Sequence, residues 1–230
     1  MGRLIGVFCF VFLLALMPAC NKDDVKSLPS DMDFKHEMSV FVQDISFYAK
    51  NINPDFVVIS QNGAELVSIT GDDEGLVNID YVYAIDGMGQ ESLNFGYNAD
   101  NEETPVEENR WMRTFLDMAK KNGAIEIMVT DYCSTQSKMG NSYAINSSNG
   151  YISFAADHRE LDNIPNYPMP IFCENSDVIT NLQQASNFLY LINPDNLFSE
   201  RQDFVDAVRN TNYDCVIMDL FSLLSGKAGK

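Results

Sequence analysis

Basic residues are scarce in this 230-residue chain: 15 lysines and arginines stand against 33 aspartates and glutamates, a formal net charge of −18. Nothing in that balance can neutralise a phosphate backbone, so nucleic acid is excluded as a partner. Histidine is scarcer still. His36 lies near the N-terminal polar segment and His158 follows an apolar run, so no Ser-His-Asp or Cys-His triad is expected. Five cysteines occur with no CxxC spacing, which leaves neither a zinc site nor a disulfide framework. Cys215 sits within an apolar run and reads as core, while a Cys133–Cys173 bridge is open on sequence alone. There is no GxGxxG and no Walker loop, and Asp100, Asn101 and Glu102 specify a metal site too poorly to count. No cofactor and no metal are therefore expected.

What is present begins at the N-terminus. Arg3 is the only charge ahead of an apolar run from Leu4 to Met17, and Pro18 and Ala19 lead into Cys20. A short charged start, an apolar stretch too brief to span a bilayer and a small residue before a cut describe a secretory signal over 1–19. Leu16-Met-Pro-Ala-Cys20 resembles a bacterial lipobox, with Cys20 as the lipidated residue. Lys22-Asp23-Asp24 resembles the short acidic signal of lipoproteins sent to the cell surface. The expectation is an exported outer-membrane lipoprotein held by its lipid alone, with a polar tether over 20–35 and one folded domain over 36–226.

Within that domain, apolar periodicity alternates. Met38, Phe41, Ile45 and Tyr48 recur at helical spacing until Asn53-Pro54, and 55–60 is a short β-branched run. Helix then strand follows over 79–91. Trp111, Phe115 and Met118 mark a helix closed by Gly123, ahead of strands at 125–130 and 151–155. Ile179, Leu182 and Ala185 predict a helix, 187–192 a strand, Phe204, Val205 and Val208 a helix, and 214–219 a last strand. Such alternation implies parallel βα units in an α/β fold, an open sheet or a (β/α)8 barrel.

Polar residues gather after the apolar cores of these runs: Gln61 and Asn62, Asp86 and Glu91, Asp131 and Tyr132, Asp157, and Asp219. In a parallel barrel those positions share the rim where active sites form. Singly, each is a helix cap or loop residue. Together with Tyr97, Trp111, Tyr132 and Tyr143 they supply carboxylates and stacking rings, the equipment of glycoside hydrolysis, in which one acid protonates the leaving oxygen and the other attacks or activates water.

The segments SQNGAEL (60–66), IDGMGQESL (85–93), VTDYC (129–133), GYISFAADHRELDNIP (150–165), NFLYLIN (187–193) and TNYDCVIMDLF (211–221) resemble a bacterial extracellular (β/α)8 family. That family carries the label cysteinyl-tRNA synthetase-like and is similar to the endo-α-1,4-polygalactosaminidases, glycoside hydrolase family 114. The synthetase label finds no HIGH motif here. The resemblance implies a TIM-barrel-type fold that is circularly permuted and incomplete, with about six of eight βα units, since NFLYLIN and DCVIMDLF resemble the first two barrel strands but come last. It implies Glu91 as a catalytic glutamate, with Asp131 and Asp219 as substrate-binding rim positions. The family's catalytic aspartate has no counterpart. Gln61, Asn62, Asp86 and Tyr132 complete the expected substrate-binding set, and the implied substrate is an α-linked galactosamine-type polysaccharide, a cationic polymer suited to an acidic cleft.

Overall fold

The computed structural model describes residues 32–219. The signal segment, Cys20, most of the tether and the segment after Asp219 lie outside the described residues. The first element is helix α1, Phe34–Ile52. The Asp33 side chain accepts the Lys35 and His36 N–H groups at its start, and Asn53 followed by Pro54 ends it. Strand β1 then spans Ile59–Gln61 and helix α2 Ile79–Ala84. Strand β2 follows at Gly87–Glu91, helix α3 at Val106–Asn122 and strand β3 at Glu126–Tyr132. Helix α4 at Gln136–Ser148, strand β4 at Ile152–Ala156, strand β5 at Phe188–Tyr190, helix α5 at Arg201–Arg209 and strand β6 at Cys215–Ile217 complete the series.

All strand pairs are parallel. Strands β1 to β4 form one sheet in sequence order, and β5 pairs with β6 in a second. The class is α/β, with each strand of the larger sheet beside its sequence neighbour and no reversal of order to make a switch point. The two sheets meet where Phe154 of β4 tilts against Phe188 of β5, 5.6 Å between ring centroids. Their C-terminal ends lie together, because the Ile192 N–H donates to the Leu161 carbonyl at 3.0 Å.

Period-two alternation gives the larger sheet two unlike faces. Met88, Ile127 and Val129 point to the side covered by α2 and α3, packing with Tyr81, Phe115 and Leu116. Ile59, Met128, Tyr132, Ile152 and Phe154 point to the other side, where Leu182, Phe188, Tyr190 and Ile217 cover them. Gly87 lies at the base of this inner face because a Cβ there would come within 3.0 Å of the Leu182 side chain.

Three expectations are corrected. The helix around 179–185 is only a single 3₁₀ turn, Leu182–Gln184. Gln184 Oε1 accepts from both the N–H and the hydroxyl of Thr180, at 2.8 and 2.9 Å, and this local bonding competes with helix propagation. Helix α4 was not anticipated, since the face it buries is Met139, Ser142, Tyr143 and Asn146, helically spaced but half polar. The strand expected over 55–60 starts late and runs one residue further, through Gln61: the Val58 N–H bonds the Asp86 carboxylate at 2.8 Å. Cys133, Cys173 and Cys215 are all free thiols.

Candidate functional site

The inner face of the sheet ends, at its C-terminal rim, in one tight cluster. Gln61 closes β1, Glu91 closes β2 and Tyr132 closes β3. Gln61 Nε2 donates to Glu91 Oε1 at 3.1 Å, and the Tyr132 phenol lies near the same carboxylate. Burial first, then the charge of Glu91 and the neighbouring Tyr190, pushes the Tyr132 phenol well above the ordinary tyrosine value. The phenol therefore keeps its proton. Glu91, half-buried, is thus bonded by an amide and flanked by a neutral phenol.

Arg159 completes the cluster. Its guanidinium lies over the Tyr132 ring, 4.1 Å from the centroid, while Nε donates to Asp100 Oδ1 at 2.6 Å and Nη2 to the Gly96 carbonyl at 2.7 Å. Gly96 sits at φ +102, and a Cβ would stand 2.7 Å from the Tyr132 Cβ, so the loop can lie on the ring only with glycine there.

The other face of the same rim holds the loop in place. Asp131 is fully buried. Its Oδ1 accepts the Asn94 and Phe95 N–H groups at 2.7 and 3.2 Å, and its Oδ2 accepts from Asn94 Nδ2, Ser142 Oγ and Asn146 Nδ2 at 3.0, 2.7 and 3.2 Å. These five donors occupy both oxygens, so Asp131 anchors the loop that presents Gly96 and Asp100. Asn62 has a similar part at φ 56: its Oδ1 accepts the Glu91 N–H at 3.0 Å and Gln90 Nε2 at 3.2 Å, fixing the end of β2.

Of the rim set read from sequence, the fold brings together Gln61, Glu91 and Tyr132. Asn62 and Asp131 lie one residue out of phase, on the supporting face. Asp86 is corrected outright: it precedes β2 and bonds Lys50 of α1 at 2.9 Å, about 16 Å from Glu91 at ~3.3 Å per strand residue. It is not Glu91's neighbour. Asp219 follows β6 at the same end as Glu91, and Asp157 follows β4 with Asn163 Nδ2 donating to it at 2.9 Å.

Among the aromatic candidates, Tyr143 stacks on Phe172 at 4.7 Å and Trp111 packs on Phe115 at 5.0 Å, both on the helix side. The residues that the sequence reading did not single out are Arg159, Tyr190 and Gly89. Tyr190 carries a legible signal, as the last residue of a β run and in phase with Phe188. Arg159 carries none, because its place depends on a loop 59 residues earlier in the chain.

Gly89 makes room for the amide. A Cβ on it would stand 1.9 Å from Gln61 Oε1, the end of a flexible side chain. Gly89→Ala is therefore expected to swing Gln61 off Glu91 at little cost in stability. The check is loss of the slowed Gln61 side-chain amide exchange by NMR with a Tm close to that of the parent.

No metal-competent group of three or more His, Cys, Asp or Glu occurs among the described residues, and no described helix is long and apolar enough to cross a membrane. No protein-family model matches this chain, and no curated protein matches it.

Proposed function

We propose that this protein is a glycan-active lipoprotein of the outer-membrane surface, a glycoside hydrolase-like protein in which Glu91 is the working carboxylate. The observation that carries this reading is Glu91 at a strand end, half-buried, bonded by the Gln61 amide and flanked by the Tyr132 phenol. A carboxylate so placed can act as nucleophile, base or acid on a glycosidic bond, and the partly exposed Arg159 guanidinium offers N–H donors to a sugar hydroxyl. The motif resemblance to the polygalactosaminidases points to an α-linked amino-sugar polymer, whose ammonium groups suit the acidic surface. The sequential parallel order of β1 to β4 is compatible with a partial barrel, since a (β/α)8 sheet also sets each strand beside its sequence neighbour, and the permutation rests on the motif order alone.

A hydrolase needs a second carboxylate about 5–10 Å away. Asp219 is the rim candidate, from the strand pair facing the sheet. Because it is offered by so short a strand, a second reading stands beside the first: a non-catalytic glycan-binding protein. Incubation with de-acetylated α-1,4-galactosamine polymer separates them. New reducing ends support the hydrolase; retention of intact polymer in affinity electrophoresis supports the binder; neither result overturns both.

The anchor has its own test. Cys20→Ser is expected to abolish incorporation of labelled palmitate and to release the protein from the membrane fraction. Equal labelling of both proteins would overturn the lipoprotein assignment.

A further inference from the structure

Helix α1 packs on the domain through Ser39, Ser46 and the partly buried Val42. Ser39 and Ser46 are its buried residues, accepting from Asn78 Nδ2 at 2.8 Å and donating to the Ala84 carbonyl respectively. Its large apolar residues face away. Phe34, Met38, Phe41, Ile45, Tyr48 and Ile52 recur at intervals of four and three, the spacing of a coiled-coil seam. Tyr48 is 71% exposed and Ile52 70%. Among the described residues nothing covers this stripe, and it continues onto Phe56 at the approach to β1, which pairs only with β2.

We propose that α1 is a dimerisation helix, its stripe packed in parallel against the same stripe of a second copy of this chain. Strict four-three spacing keeps a seam facing another helix along its whole length, whereas a helix that only closes a domain needs a broader apolar arc. The exposed area is sufficient. Aromatic side chains cover about 150–250 Å² each, so three half-exposed rings with Met38, Ile45 and Ile52 bring the seam toward the ~800 Å² per partner of a standard interface.

The flanking charges choose the orientation. Glu37, Asp44 and Asn51 border the seam on one side and Lys35, Val42 and Ala49 on the other. An antiparallel pair would set Asp44 against Asp44 of the partner subunit. A parallel pair separates the two Asp44 side chains and opposes no like charges, while Val42 of each copy stays packed on its own domain. It also places both N-terminal segments on one side of the dimer.

The test uses the full chain in its native membrane with Cys173→Ser, which removes the exposed thiol. Tyr48→Cys lies on the stripe and Phe47→Cys just off it, with nearly equal exposure of the parent residues. Copper-phenanthroline oxidation is expected to give at least tenfold more disulfide-linked dimer for Tyr48→Cys. In mild detergent, Phe41→Glu is expected to convert a sedimenting dimer to monomer with an unchanged circular dichroism spectrum. Equal crosslinking of the two variants overturns the proposal. So does a Phe34→Cys and Ile52→Cys mixture that links more strongly than either alone, which is the antiparallel pair. A monomeric wild type also overturns it, including one whose stripe is shielded from a maleimide label by lipid or by the N-terminal segment.

Discussion

Asp131→Ala is expected to be the most damaging single substitution in the described domain. It removes the acceptor for five donors, two of them backbone N–H groups, in a pocket with no water access at that residue. A buried donor left without a partner costs about 1–3 kcal/mol, and a domain's total stability is only about 5–15 kcal/mol. Even with partial rearrangement, a loss on the order of 4 kcal/mol or more is expected from so many orphaned groups. Urea unfolding followed by circular dichroism reads it directly. Asp131→Asn gives the contrast. The remaining oxygen can still accept the two backbone N–H groups, and the Ser142 hydroxyl can turn to accept from the new amide. That variant should fall clearly between wild type and alanine. If alanine is tolerated with a shift below about 1 kcal/mol, the loop over the site is not held as described.

Glu91→Gln should have the opposite profile. The amide oxygen can still accept from Gln61, so the shape of the cluster survives and Tm should be unchanged. The charge does not survive, and with it goes any ability to attack, deprotonate or protonate. Loss of such a group lowers kcat by about 10²–10⁴-fold, read from reducing ends released from the amino-sugar polymer. If the protein binds glycan without cleaving it, the same substitution should weaken retention of the cationic polymer and leave neutral polymers unaffected. A fall in Tm with undiminished activity or retention would make Glu91 a cap on the β2 turn and end its candidacy.

Much of the fold was legible because it rests on periodicity. Helix α1, the α2–β2 unit and helix α3 each bury or present apolar residues at regular spacing, and the sequence shows it. Helix α4 was hidden because Ser142 and Asn146 occupy positions that apolar residues usually hold, and their partner is a carboxylate from β3. The rim was half legible. Polar residues after apolar runs do gather at strand ends, but which face each takes depends on one residue of phase. Gln61 and Tyr132 fall on the inner face, while Asn62 and Asp131 beside them fall on the other. Asp86 is misplaced because it meets its strand from the other end: β2 begins at Gly87, directly after it. The apolar run before it is helix, so Asp86 opens the strand instead of following it.

That one-residue phase has a consequence for how the protein can vary. At the ends of β1 and β2, neighbouring residues answer to different demands: Gln61 and Glu91 to whatever occupies the rim, and Asn62 and Gln90 to the hydrogen bonds that fix the strand ends. A library saturating 61–62 and 90–91 should therefore show tolerance that alternates within each pair. Substitutions at Gln61 and Glu91 would change the recognition of a ligand, and those at Asn62 and Gln90 would decide whether the rim keeps its shape. Adaptation to a new ligand can then proceed through Gln61 and Glu91 while their immediate neighbours in sequence stay fixed.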